Sequence, residues 1–187
     1  LLRTEFLFLD QARPPGIGEQ SRQYAAVFAA FPGRKVVVRT LDAGADKPLA
    51  FLENPVEPNP ALGVRGIRVG DGHSDVLTAQ LEAIARAAAQ SDAEVSVMAP
   101  MIATPQESAA FVAMAREAGL ERAGVMVEIP AAVLLANEIF PAVDFVSIGT
   151  NDLSQYTYAA DRLLAPLAPL NDHWQPALAR LVDLACT

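Results

Sequence analysis

Short, nearly unbroken apolar runs alternate along this chain with longer stretches in which apolar residues recur every three or four positions, and that alternation leaves few folds open. An apolar run without polar alternation is the mark of a strand buried on both faces. Helical stretches between such strands bring the chain back to start the next one alongside, which makes the sheet parallel. The candidate strands are Leu1–Phe8, Lys35–Leu41, Gly63–Val69, Glu94–Met101, Gly124–Glu128 and Phe145–Gly149. The candidate helices are Gly18–Ala30, Ser74–Gln90, Pro105–Ala118, Ala131–Ile139 and Pro176–Cys186. The third helix is the best marked, with Thr104 as N-cap, Pro105 at its first position, Glu107 completing a capping box and Gly119 past its end.

The class is α/β. No glycine-rich fingerprint follows the first strand, and the spacing favours a (β/α)8 TIM barrel over a dinucleotide-binding sheet. A complete barrel has eight strands in ~250 residues. Six strand–helix units in 187 residues therefore describe an incomplete barrel, a single domain over 1–187. Leu1 falls inside a candidate strand and Thr187 closes a helical pattern with no stop signal, so we expect a fragment of a longer chain. Pro48–Leu62, with four prolines and no periodicity, reads as an ordered excursion over the barrel mouth.

Composition removes several classes of function. Hydrophobic residues make up 52% and charged residues 19%, which fits helices packed on a buried sheet and not a disordered chain. A net charge of -8 argues against nucleic acid or an anionic membrane as partner. No apolar stretch nears the roughly 18 residues that span a bilayer, no leader is present, and the one cysteine, Cys186, suits a reducing compartment. We expect a cytoplasmic protein, with Cys186 a buried or fraying structural thiol.

The charges that remain gather where apolar runs end. Arg3 follows Leu1-Leu2 and Arg39 follows Val36-Val37-Val38, whereas Glu128 follows Val125-Met126-Val127 and Asp152 lies just beyond Phe145–Gly149. The carboxyl ends of parallel strands open into the crevice where barrels keep their chemistry. Arg3 pairing with Glu5, and Arg39 with Asp42 or Asp46, is one reading. The other is a shared anion, since guanidinium groups grip carboxylate and phosphate by paired hydrogen bonds and repel one another otherwise. Glu128 has no neighbour of opposite charge in sequence and so needs a cation, supplied by a distant arginine or a metal; Asp152 reads as a helix N-cap, a turn residue or a second metal ligand. The pair fits Mg²⁺, which takes one or two protein carboxylates, and no His/Cys spacing suggests zinc. His73 and His173 sit in polar turns and read as surface or capping residues; Trp174, Tyr156 and Tyr158 read as packing residues.

Six segments in order resemble the phosphoenolpyruvate-utilising enzymes. They are Leu2-Arg3-Thr4-Glu5-Phe6-Leu7, Val38-Arg39-Thr40-Leu41-Asp42, Asn59–Arg68, Ala99-Pro100-Met101-Ile102, Gly124–Ala131 and Ser147–Tyr156. Within that family the chain is similar to the C-terminal phosphoenolpyruvate (PEP)-binding domain of Enzyme I of the bacterial sugar phosphotransferase system. The resemblance implies that Arg3, Arg39, Arg65 and Arg162 contact phosphate and carboxylate, that Asn151 holds the phosphoryl group, and that Glu128 and Asp152 bind Mg²⁺. It implies Mg²⁺-dependent transfer of the phosphoryl group of PEP to a histidine on another, N-terminal domain and then to the phosphocarrier HPr, with release of pyruvate. It further implies a homodimer, and a proton-donating cysteine in a loop outside 1–187, so that the fragment alone is expected to be inactive. Pyruvate phosphate dikinase, PEP synthase, a pyruvate-generating aldolase or lyase, and a non-catalytic PEP-sensing or dimerisation module stand as alternatives.

Overall fold

The computed structural model describes residues 1–9, 11–44, 48–52 and 56–186. Five parallel strands, β1 (Leu2–Arg3), β2 (Lys35–Arg39), β3 (Glu94–Ala99), β4 (Ala123–Val127) and β5 (Phe145–Ile148), lie side by side in sequence order. A doubly wound sheet reverses its strand order at a switch point, whereas a singly wound barrel adds each strand beside the last. The observed order is the second kind, so the protein is mixed α/β with a sheet that matches part of a (β/α) barrel.

Register brings the strand ends level. Arg3 stands opposite Arg39, Arg39 opposite Met98, Ala99 opposite Val125 and Val127 opposite Ile148. The residues just past each strand, Asp42, Met101, Glu128 and Asn151, therefore emerge along one edge. The strands are joined through α1 (Ile17–Ala29), α2 (Ser74–Ala88), α3 (Pro105–Glu117), and the pair α4 (Pro130–Leu134) and α5 (Ala136–Ile139), while α6 (Thr150–Tyr158) and α7 (Pro176–Cys186) follow β5. Val38, Val97, Val125 and Val127 meet Tyr24, Phe28, Leu81, Ile84 and Phe111 in one apolar core. None of the helices among the described residues is long and apolar enough to cross a membrane.

The α3 capping box forms as its sequence predicts: Thr104 Oγ1 accepts from the Glu107 N–H at 3.2 Å and Glu107 Oε2 accepts from the Thr104 N–H at 2.9 Å. Other expectations need correction. Gly63–Val69 is not a strand: β2 pairs directly with β3, and the segment follows a 3-10 turn at Pro60–Leu62 and itself enters a 3-10 helix at Gly66–Asp71. Gly66 lies at φ +58, a conformation that favours glycine, and the space is open only to glycine because a Cβ there would stand 2.8 Å from the Met101 Cβ. Backbone in that region breaks an extended run.

The first strand is shorter than expected. Thr4 turns into helical backbone and donates Oγ1–H to the Arg39 carbonyl at 3.0 Å, starting a 3-10 turn at Glu5–Leu7. The expected helix over 131–139 is divided at Leu135, and α6 occupies a stretch for which the sequence suggests no helix beyond the N-cap reading of Asp152. Cys186 is exposed at the end of α7, not buried.

Of the proline-rich excursion, Leu49 and Leu52 are buried with Phe8, Leu41, Ala43, Val69 and Val76 in a second apolar cluster. This cluster seats the described part of the excursion against the carboxyl end of β2.

Candidate functional site

Buried charge runs along the carboxyl edge of the sheet in alternating sign. Arg39, at the end of β2, donates to Glu5 Oε1 at 2.5 Å and lies 3.4 Å from Asp42 Oδ2. Asp42 also accepts from Arg65 Nη2 at 3.3 Å. Arg65 continues through Nη1 to Asp152 Oδ1 at 3.0 Å, and Asp152 Oδ2 accepts from Arg162 Nη1 at 2.9 Å. The series Glu5, Arg39, Asp42, Arg65, Asp152, Arg162 thus links β1 to the loop past α6. The Asp46 alternative for Arg39 lies outside the described residues.

Local structure explains how each member is held. Arg65 is 1% exposed, in extended backbone that makes an antiparallel bridge to Gly44. The Tyr156 hydroxyl accepts from Arg65 Nη1 at 3.1 Å and donates to the Ala61 carbonyl at 2.5 Å. Tyr156 is four residues after Asp152 in α6, so both present the same helix face to Arg65. Arg162 is placed by the left-handed turn at Ala159 and by Gln155 Oε1, which accepts the Arg162 N–H at 3.1 Å.

Glu128 belongs to the same edge but not to the ion-pair series. Its side chain is buried, it forms no ion pair among the described residues, and Oε1 accepts the Met101 N–H at 2.7 Å. Met101 adopts φ +62, an uncommon conformation for a residue with a side chain, while making that bond. Burial first, and then the charges of Asp42 and Asp152, push the Glu128 carboxyl up to about 7. Gly149 lets β5 end directly over it, because a Cβ at Gly149 would come within 2.8 Å of Glu128 Oε2.

These features suit a hard divalent cation. Glu128 and Asp152 bring carboxylate oxygens to one edge, although both Asp152 oxygens are held by arginines, and the repulsion that helps raise the Glu128 carboxyl is what a cation would relieve. No group of three or more His, Cys, Asp or Glu side chains could hold a metal among the described residues. A cation here would need oxygens from its substrate, as Mg²⁺ commonly does.

Two further residues named from sequence lie on the rim. Arg3 is exposed, stacks its guanidinium 5.6 Å from the Phe6 ring centroid, and lines a recess of about 190 Å³ with Glu5, Phe6, Arg39, Asp42 and Leu49. Arg39 Nε is buried with no hydrogen-bond partner, although the residue lines this recess. Asn151 is exposed in the first turn of α6, where its Oδ1 meets His173 Nε2 at 2.8 Å.

The structure also corrects some side-chain expectations. Asp152 is neither a cap nor a turn residue but lies inside the first turn of α6, after Gly149 as N-cap. Trp174 is 90% exposed and packs little within this chain, and Tyr156 works as a polar brace. Asp42 and Glu5 enter the sequence reading only as salt-bridge partners, yet Asp42 bridges two arginines at the centre of the series. Its three-residue spacing from Arg39 is the sole sequence signal.

A sheet that matches part of a (β/α) barrel, with cationic and anionic side chains interleaved at its carboxyl edge, puts its charge where enzymes of that architecture keep their chemistry. The whole chain, residues 1–187, matches the family of PEP-utilising enzymes through their PEP-binding domain, and it belongs to that family.

Among curated proteins it is 54% identical over 187 residues to the phosphoenolpyruvate-protein phosphotransferase of Streptomyces coelicolor, covering 99% of this chain and 34% of that protein. It is 47% identical to the multiphosphoryl transfer protein of Rhodobacter capsulatus, over 98% of this chain and 23% of the relative. The phosphoenolpyruvate-protein phosphotransferase of Haloferax volcanii is 45% identical over 98% of this chain and 35% of its own length. The chain therefore spans about a third or less of these relatives.

Proposed function

We propose that this chain is the PEP-binding barrel domain of a phosphoenolpyruvate-protein phosphotransferase. In this reading the complete protein moves the phosphoryl group of PEP to a histidine of a separate domain and on to HPr, and releases pyruvate. The relatives' names and greater lengths support a longer phosphotransferase of which this chain is a part; a barrel of eight strands and a homodimeric assembly are taken from the family resemblance. The observation that carries the proposal is the alternation of guanidinium and carboxylate from Arg39 to Arg162, buried except at its half-buried Arg162 end. Without ligand, the carboxylates hold the arginines apart and neutralised. A trianionic substrate can take their place, because phosphate and carboxylate oxygens offer the same paired acceptors.

Arg3 and Arg39 would grip one end of PEP in the recess they line. Arg65 and Arg162 would turn from Asp152 toward the phosphoryl oxygens, and Asn151 would donate its amide to them. That exchange frees the Asp152 carboxylate beside Glu128, and these two are the proposed ligands of Mg²⁺. The bound ion would supply charge neutralisation for phosphate and carboxylate oxygens. The arginines hold the phosphoryl group in line and stabilise the charge spread over its oxygens during transfer, the main protein contribution in this chemistry.

Calorimetric titration of PEP with and without Mg²⁺, on the chain and on Glu128→Gln, tests the proposal. Metal-dependent binding that Glu128→Gln abolishes is expected. Binding that ignores both the metal and the substitution would overturn the metal assignment, and no binding under any condition would overturn the substrate.

A further inference from the structure

One contact at the rim joins a residue the proposed chemistry uses to one it does not. Asn151 Oδ1 and His173 Nε2 are 2.8 Å apart, although the two residues are 22 positions apart in sequence. His173 stands in the loop between the 3-10 helix Ala165–Asn171 and α7. That loop is braced from within: Asp172 Oδ1 accepts the Trp174 N–H at 2.9 Å, the Asp172 carbonyl accepts the Gln175 N–H at 3.1 Å, and Gln175 Nε2 donates to the Pro169 carbonyl at 2.9 Å. The imidazole is thus presented to Asn151 by a folded turn.

An asparagine amide has two ends of opposite character. Its NH₂ donates to an anion, whereas its carbonyl repels one. Exposed in the first turn of α6, the Asn151 side chain alone has little to choose between them. A partner that donates to Oδ1 settles the choice, since the NH₂ then points away from that partner. His173 can do so as the Nε2–H tautomer or as the imidazolium, since Nε2 carries a proton in both.

We propose that His173 is a positioning residue that locks the Asn151 amide with its NH₂ directed to the phosphoryl group of the substrate. The inference rests on the PEP reading above and adds to it a residue outside the arginine and carboxylate series. It also yields a selective consequence: His173 matters for ligands that carry a phosphoryl group and not for those that bind through carboxylates alone.

The test uses the full-length protein with Mg²⁺, titrated with PEP and separately with oxalate, which has carboxylates but no phosphoryl group. His173→Ala is expected to weaken PEP about fivefold, the scale of one neutral hydrogen bond, and to leave oxalate unchanged. In an Asn151→Ala background the same substitution is expected to have no further effect. His173→Gln, which again offers an N–H donor, is expected to restore most of the loss.

Equal weakening of PEP and oxalate, a loss that persists without the Asn151 amide, or no loss at all would each overturn the role of His173. Failure of the wild-type protein to bind PEP would instead overturn the substrate reading itself, so the two failures are distinguishable.

Discussion

Arg65→Met tests whether the buried charge series is held together by its central cation. Arg65 is 1% exposed and bonds Asp42 at 3.3 Å and Asp152 at 3.0 Å, with Tyr156 on the same nitrogen as Asp152. Methionine keeps much of the aliphatic stem but leaves two buried carboxylates beside Glu128. Breaking a buried pair by removing one partner costs about 3–5 kcal/mol, because the remaining charge is uncompensated. Arg39 still lies 3.4 Å from Asp42, and Arg162 remains 2.9 Å from Asp152, so the lower end applies, about 3 kcal/mol.

Urea denaturation of the chain reads this directly. With a slope of about 1–3 kcal/mol per molar urea, the midpoint should fall by about 1–3 M at unchanged slope. The double variant Arg65→Met with Asp42→Asn removes one orphaned charge, and it should be more stable than Arg65→Met alone even though Asp42→Asn destabilises the wild-type chain. A coupling of about 2 kcal/mol between the two sites is expected. A cost below about 1 kcal/mol for Arg65→Met, or an Asp42→Asn effect that is the same in both backgrounds, would refute the account of an interdependent series.

Three other outcomes follow from particular contacts. Gly149→Ala puts a Cβ within 2.8 Å of both Cβ and Oε2 of Glu128; Mg²⁺-dependent PEP binding, measured by calorimetry, should weaken at least about tenfold, the factor set by about 1.4 kcal/mol of displacement. Thr104→Ala removes the α3 cap and should lower stability by about 1 kcal/mol, measured by denaturation, without changing ligand affinity. Asp144 accepts from the Ala123 N–H at 2.7 Å and from Arg116 at 2.6 Å; the backbone bond first, and then the arginine, hold its carboxyl below the ordinary aspartate range. A depressed carboxyl stabilises the fold above its unfolded pKa and loses that contribution as pH falls through the folded one. The stability gap between wild type and Asp144→Asn should accordingly be widest near neutrality and close as the solution is acidified below about pH 4, read from urea midpoints at several pH values.

Legibility in the sequence followed the range of the forces involved. The α3 box was readable because cap, box and stop lie within one helix and depend on neighbours three residues away. β2, β3 and β4 were readable because an unbroken apolar run has no solvent face to offer. Gly63–Val69 failed for the opposite reason: its apolar residues suit a strand, but Gly66 turns at φ +58 where the chain packs close to Met101, 35 positions later, a neighbour the local pattern does not show. The helix α6 was missed because it opens on Thr150-Asn151-Asp152, where Asn and Asp favour turns and caps over helix interiors.

By itself the sequence determined most of the elements, their parallel arrangement, and the presence of charge at the ends of buried strands. It also carried the ordered motifs that the family match confirms over residues 1–187. Only the tertiary structure decided which charges meet. Arg65 and Asp152 are 87 positions apart, and nothing local distinguishes that partnership from another. Their pairing depends on strand register, on the turn at Gly66 and on the face that α6 presents, so it exists only once the sheet has brought its carboxyl ends level. The same holds for Glu128, whose raised carboxyl is set by burial and by Asp42 and Asp152 across the sheet edge. Local pattern chooses secondary structure because backbone preferences act over a few residues. Electrostatics acts through space, and the space is made by the fold.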